Sequence, residues 1–178
     1  MSSQAEIWRR VYLALGSSLG DRLAHLRFAV RELSEISGTR VLKTSPVYKT
    51  APEGGVASQD FYNACVMIET KLAPTPLLSA LLAIESAAGR VRKRPLDDRT
   101  LDIDILFFDN LIVDDVGLVL PHPRFEKRLF VLQPLHDIAP DFIDPKSGLK
   151  IRELLGNCSD RGAIERMPFR IDPDRMRA

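Results

Sequence analysis

Asp102 and Asp104 stand one residue apart in the run Arg99-Thr-Leu-Asp-Ile-Asp-Ile-Leu-Phe107. In an extended strand, period-two alternation puts both carboxylates on one face, with Leu101, Ile103, Ile105 and Phe107 on the other. Same-face Cβ atoms are then roughly 6.5–7 Å apart, close enough for the carboxylates to lean together. That spacing suits two Mg²⁺ ions about 3.5–4 Å apart, an arrangement that clamps a phosphoryl group in transfer. Leu106 and Phe108 continue the acid face as apolar residues, so the pair runs into a covered surface and needs countercharge. Metal ions or arginines could supply it, and spacing alone leaves both open.

Arginines are at hand. Arg90, Arg92, Lys93, Arg94 and Arg99 lie just upstream. The planar guanidinium fork suits phosphate oxygens, so this loop could fold over a polyphosphate; a solvated basic loop is the alternative. Phe61 and Asn63 share a strand face, where ring and amide could stack on and hydrogen-bond a flat heterocycle, or simply fill the core. His122 is held between Pro121 and Pro123, with Arg128 and Phe130 shortly after it. Glu85 and Arg90 close the helix that precedes the acid strand. The turn Gly16-Ser-Ser-Leu-Gly-Asp21 lacks the Lys-Ser/Thr ending of a P-loop and reads as a structural strand-to-helix turn.

The elements that must carry these residues follow from periodicity. Val11 to Leu15 is a continuous apolar run ended by Gly16, a buried central strand. Leu19, Leu23, Leu26, Val30, Leu33 and Ile36 recur at helical spacing, and Gly38 stops that helix. Residues 40–50 and 61–70 read as strands joined by a connection long enough to form a binding loop. Thr75-Pro76 is the expected N-cap and first residue of a helix reaching Ala88. After the acid strand come a short hairpin (111–113 with 118–120) and a helix over 124–136. The fold class expected is α+β: a ferredoxin-like βαββαβ antiparallel sheet with helices packed on one face, plus the hairpin and a C-terminal helix. Residues 1–156 form one domain, and 157–178 a loosely structured C-terminal extension.

Composition narrows the function classes. The chain has 178 residues, 45% hydrophobic and 28% charged, with net charge +1. That is one ordinary globular domain, with no global bias toward nucleic acid or anionic membrane. Two distant cysteines and three scattered histidines form neither a zinc pattern nor a disulfide framework. The apolar start of the first strand is too short for a signal or membrane segment. A reduced, cytoplasmic protein is expected.

Six motifs in order carry a resemblance over Val11 to Ile151: Leu15-Gly-Ser-Ser-Leu-Gly-Asp21, Ser45-Pro-Val-Tyr-Lys-Thr50, Asp60-Phe-Tyr-Asn63, Gly89-Arg-Val-Arg-Lys93, Arg99-Thr-Leu-Asp-Ile-Asp-Ile105 and Leu120-Pro-His-Pro123. Together they resemble the folate-pathway 6-hydroxymethyl-7,8-dihydropterin pyrophosphokinases, which move the terminal pyrophosphoryl group of ATP to the pterin hydroxymethyl oxygen and release AMP. The resemblance implies a magnesium-dependent, ATP-binding transferase of 1–156. It places two Mg²⁺ on Asp102 and Asp104, with Arg90 and Arg99 as further catalytic residues. Glu85, Arg92, Ile105 (through its backbone), His122 and Arg128 match nucleotide-binding positions. Thr50, Phe61, Asn63 and Phe130 match the pterin pocket. The partners implied are ATP and a dihydropterin, without nucleic acid or membrane, in a monomer or alternatively a homodimer.

The chain departs from the family pattern at three places. Where many members have aromatic-Gly-Pro-Arg, it has Leu96-Asp97-Asp98-Arg99, so an aromatic cap is missing, extra acid is present and Leu96 is the candidate apolar cap. Ser18 replaces a commoner asparagine, with no chemical consequence expected. Ala51 and Glu53 stand in the pterin loop where some members have proline and leucine. Two rivals remain on fold alone. An RNA-binding or regulatory module would want exposed sheet aromatics and no acid pair within a strand. A palm-type nucleotidyl transferase would need more chain and would release pyrophosphate.

Overall fold

The apolar run at 11–15 forms the centre of β1 (Arg9–Ser17), flanked by antiparallel β4 (Phe61–Thr70) and β5 (Asp102–Phe108). The computed structural model describes residues 7–55, 57–91 and 97–172. Among these residues the main sheet has six strands, in the order β5-β1-β4-β3 (Tyr48–Thr50)-β8 (Ile164–Arg166), with β2 (Thr39–Thr44) also on β4. The expected strand over 40–50 is two strands, β2 (Thr39–Thr44) and β3 (Tyr48–Thr50), laid end to end along β4. The break falls at Ser45-Pro46, where proline has no N–H for the ladder. Ser45 bridges it, donating its N–H to the Cys65 carbonyl and accepting the Cys65 N–H on its hydroxyl at 2.8 Å.

Helices cover both faces of the sheet, where one covered face was expected. On the first face, α1 (Arg22–Glu35) and α2 (Pro74–Ala87) bury Leu26, Leu33 and Leu81 against Val11, Leu13, Val66 and Ile103. Each such side chain contributes about 1.5–3 kcal/mol by leaving water. Asp21 caps α1 by accepting the Ala24 N–H at 3.0 Å. The first residue of α2 is Pro74, after Ala73 as N-cap, so Thr75 lies inside the first turn instead of capping it. On the second face, α3 (Leu129–Ile138) and α4 (Ile151–Asn157) bury Leu132, Leu135 and Ile151 against Tyr12, Cys65, Met67 and Phe107. The segment 124–136, expected as one helix, opens as a 3-10 turn at Phe125–Lys127 before α3 begins.

A β-bulge in β5 changes which residues share the acid face. Tyr12 pairs with Phe107 and Leu13 with Ile105, so Leu106 is the extra residue. Phe107 therefore packs with Leu106 on the second face, while Phe108 turns to the α1 and α2 side. Strict alternation had assigned these two rings the other way round.

The hairpin is β6 (Val113–Asp115) with β7 (Leu118–Leu120). Residues 157–172 do not behave as a loose extension. Ile164–Arg166 form β8 on the β3 edge, and Ile171 is fully buried in the first core. Weak periodicity hid this, because a three-residue strand and a single apolar anchor leave little pattern. Among the described residues, no helix is long and apolar enough to cross a membrane.

Candidate active site

Register brings the chemistry together on the second face, beyond the end of α3. Gly16 pairs with Asp102 on one side and Asn63 on the other, and Ala14 pairs with Asp104. The small residues of β1 thus form a floor between the acids of β5 and the amide of β4. A Cβ on Gly16 would lie 3.3 Å from the Asn63 amide oxygen and 3.8 Å from the Phe61 ring. Glycine is needed there to keep the hollow open. The resulting cleft, with about 730 Å³ of empty space open to solvent, is lined by Thr50, Phe61 and Asn63 at one end. Phe130 and Arg128 wall it from the α3 side, and Arg99, Asp102, Asp104 and His122 from the β5 side.

The acids have different surroundings. Asp102 accepts Arg90 on Oδ1 at 2.5 Å and Arg99 on Oδ2 at 2.8 Å. Among the described residues, Asp104 has only His122 near it as an ionic partner, 3.9 Å from Nε2 to Oδ2 and outside hydrogen-bond range. The cleft walls, with the carboxylates of Asp102 and then Glu85, push the Asp104 carboxyl up to about 6. Desolvation, followed by the nearby charges of Arg128 and Arg124, lowers His122 to about 4, so its ring is neutral at pH 7. Its Nδ1 accepts the Arg124 N–H at 3.3 Å, which assigns the ring proton to Nε2, on the side of Asp104. The bulge helps aim this ring, because the His122 N–H donates to the Leu106 carbonyl at 3.0 Å.

Glu85 and Arg90 stand behind the cleft and do not line it. Glu85 is 3% exposed, accepts Arg90 at 2.6 Å and takes the Ile103 N–H at 2.8 Å. It joins α2 to the outer edge of β5 and holds Arg90 on Asp102. The Ile105 side chain is core, packed with α1 and α2. Only its backbone, on the edge strand, could meet a ligand. Asn63 donates to the Thr50 hydroxyl at 2.7 Å. Arg99 lies over the Phe61 ring at 5.6 Å, and Arg128 over the Phe130 ring at 5.6 Å. Arg92 and Leu96 fall outside the described residues.

Sequence reasoning missed two acids. Glu53 pairs with Arg128 at 2.8 Å, and the buried Arg128 Nε has no hydrogen-bond partner among the described residues. Asp98 accepts bonds from Ser18, Ser58 and Gln59. The unusual Leu-Asp-Asp-Arg run signalled Asp98, but nothing local in the chain signalled its partners.

A family model described as 7,8-dihydro-6-hydroxymethylpterin-pyrophosphokinase matches residues 12–140, the span that carries both ends of this cleft. The chain belongs to that family. It is 44% identical over 158 residues to the 2-amino-4-hydroxy-6-hydroxymethyldihydropteridine pyrophosphokinase of Methylorubrum extorquens, covering 89% of this chain and 98% of that protein. The enzyme of the same name from Haemophilus influenzae is 40% identical over 157 residues, covering 88% and 98%. Among solved structures, an HPPK-DHPS protein in complex with substrates superposes with TM-score 0.69 at 15% identity, over 84% of this chain and 43% of that one. Wild-type HPPK-DHPS of Plasmodium falciparum gives 0.67 at 16%, over 85% and 45%. The chain spans less than half of those two proteins, and at that identity the likeness is one of fold. This pyrophosphokinase transfers pyrophosphate from ATP to 6-hydroxymethyl-7,8-dihydropterin in folate biosynthesis. Neither an RNA-binding module nor a palm transferase is required.

Proposed function

We propose that Asp102 and Asp104 hold two Mg²⁺ ions, that Arg90, Arg99, His122 and Arg128 receive the ATP phosphates, and that Thr50, Phe61, Asn63 and Phe130 hold the pterin. The single observation that supports this assignment is the cleft itself, whose lining brings the Phe61 and Phe130 rings and the Asn63 amide together with Arg99, Asp102, Asp104, His122 and Arg128. A flat bicycle between Phe61 and Phe130 would set its hydroxymethyl arm toward the charged end. The adenine would lie along the outer edge of β5, near the Ile105 backbone. Arg92 is assigned to the nucleotide by resemblance alone.

The residues present fit a divalent cation. Among the described residues Asp104 has no cationic hydrogen-bond partner, and burial, with the carboxylates of Asp102 and Glu85, raises its carboxyl. Among the described residues, no group of three or more His, Cys, Asp or Glu side chains is arranged as a metal cage. Mg²⁺ does not need one, since it binds through one or two carboxylates with substrate phosphates and water completing the shell. When bound, it supplies charge neutralisation and alignment of the triphosphate.

The pterin hydroxyl oxygen attacks the β-phosphorus of ATP, the bond from that phosphorus to the α–β bridging oxygen breaks, AMP leaves with that oxygen, and the hydroxyl proton is released to solvent. No protein side chain acts as nucleophile, so this chain's residues contribute position and charge. Arg99 and Arg90 must exchange Asp102 for phosphate as ATP enters. Neutral His122 offers its Nε2–H as a donor without adding charge. The Arg128 Nε–H, unpartnered among the described residues, is a second donor ready for an anion.

We read the sheet order, two helices apart, as ferredoxin-like, and assign the chain to one cytoplasmic pyrophosphokinase domain, monomeric or homodimeric, whose sheet takes in β8 of the tail. Incubating the protein with Mg-ATP and 6-hydroxymethyl-7,8-dihydropterin should give pterin-dependent AMP, and none when EDTA is added. ADP as product, or full activity in EDTA, would overturn the assignment of the charged end.

A further inference from the structure

Three separate segments meet at the Asp98 carboxylate beside the cleft. Its Oδ1 accepts the Ser18 hydroxyl at 3.0 Å and the Gln59 N–H at 3.3 Å. Its Oδ2 accepts both the N–H and the hydroxyl of Ser58, at 3.0 and 2.7 Å. Against the desolvation that would raise it, these bonds from Ser58, Ser18 and Gln59 hold the carboxyl below the usual range. Ser18, 4% exposed, is the relay: its hydroxyl accepts the Arg99 N–H at 3.0 Å while it donates to Asp98. The N–H groups of Ser18 and Leu19 both donate to the Arg99 carbonyl, at 2.9 and 3.1 Å. The Arg99 backbone is therefore held at both its N–H and its carbonyl, and the preceding residue, Asp98, ties it to the segment that leads into Phe61.

We propose that Asp98 is a positioning residue of the pyrophosphoryl transfer, which fixes Arg99 and the Ser58–Gln59 segment as one unit and so couples the phosphate end of the cleft to the pterin end. Charge makes this bond set strong, because four donors converge on one carboxylate. Geometry makes it consequential, because the unit ends in the Arg99 guanidinium, which lies both on Asp102 and over the Phe61 ring. The change at Ser18 acquires a purpose here, where none was expected: serine's short hydroxyl reaches both neighbours at once. Asp98 does not touch either substrate. It acts through Arg99, and this inference rests on the reading of Arg99 as a phosphate ligand.

Arg22 provides a control. It holds the adjacent Asp60 carbonyl at 2.9 Å and covers the Tyr62 ring at 4.1 Å, so it anchors the same segment with no link to Arg99. Steady-state kinetics on Asp98→Asn, Arg22→Gln, Arg99→Ala and the double variant Asp98→Asn/Arg99→Ala separate positioning from simple stapling. Asp98→Asn should lower kcat about 10–100-fold, the scale of a misplacement near 1 Å, and raise the pterin KM while Mg-ATP affinity stays within about twofold. In the Arg99→Ala background the same substitution should cost little further. Ser58→Ala, which removes one hydroxyl bond and leaves the backbone bond, should show the same pattern more weakly if Asp98→Asn folds poorly. A fall in melting temperature with kcat and KM unchanged would overturn the proposal, as would an equal kcat loss in Arg22→Gln or full additivity in the double variant. Near-normal turnover by Arg99→Ala would instead remove the reading of Arg99 on which the proposal stands.

Discussion

Arg99 donates to Asp102 at 2.8 Å, so the arginine assigned to phosphate is already engaged with an acid assigned to metal. With Arg90 on the other oxygen, Asp102 is neutralised by the protein itself. Countercharge for a half-buried carboxylate is worth having before substrate arrives. Of the two sources of countercharge left open by the sequence, arginines serve Asp102, and a cation is what we propose for Asp104.

Asp104→Ala and Asp102→Ala should both abolish turnover, with different effects on stability. Removing Asp104 relieves repulsion among carboxylates and should leave or raise the melting temperature. Removing Asp102 leaves the partly buried Arg99 guanidinium without its carboxylate, and Arg90 with Glu85 alone, and should lower it, by an amount on the order of 1–3 kcal/mol. Activity assays with melting curves check both, and near-normal turnover in either variant would sink the metal assignment.

Arg99→Ala should reduce transfer far more than it reduces pterin binding. Comparing kcat with the dihydropterin dissociation constant decides this. Equal losses in both would put the guanidinium in the pterin subsite.

In metal-free protein, the Asp104 carboxyl at about 6 lies above its unfolded value of about 3.9. The folded state then binds the extra proton between those values, so this group's contribution to stability falls as pH rises from about 4 to about 6. Asp104→Asn should flatten that part of the pH profile of unfolding. Mg²⁺ competes with the same proton, so its apparent affinity should weaken as pH drops below 6. Identical pH profiles for wild type and variant would contradict the assignment.

Gly16→Ala places a methyl group 3.3 Å from the Asn63 amide oxygen, on the floor between the pterin and phosphate ends. The fold should persist, because the position faces the cleft and not the core. The pterin KM should rise about tenfold or more, the scale of a lost buried hydrogen bond to a bound heterocycle. Calorimetry with the pterin alone would expose an error here if affinity were unchanged.

Local pattern carried a good deal of this. The acid pair, the aromatic-amide pair on β4 and the buried central strand are all spaced by the two-residue period of a strand or the punctuation of glycine and proline, and each lies where pattern put it, while most of the basic stretch lies outside the described residues. Where pattern was interrupted it misled. Pro46 cut one expected strand in two, the bulge at Leu106 exchanged the faces of Phe107 and Phe108, and the short β8 left too faint a trace to read.

What the sequence alone determined is the set of chemical groups and their order along each strand, because side-chain direction follows parity wherever no bulge interrupts the strand. What the tertiary structure decided is who meets whom across the chain. Asp98 finds Ser58 forty residues away, Glu53 finds Arg128, and Glu85 reaches from α2 to a backbone donor at the open edge of β5. Those contacts depend on how loops are packed after the sheet has formed, and no short-range periodicity encodes that packing.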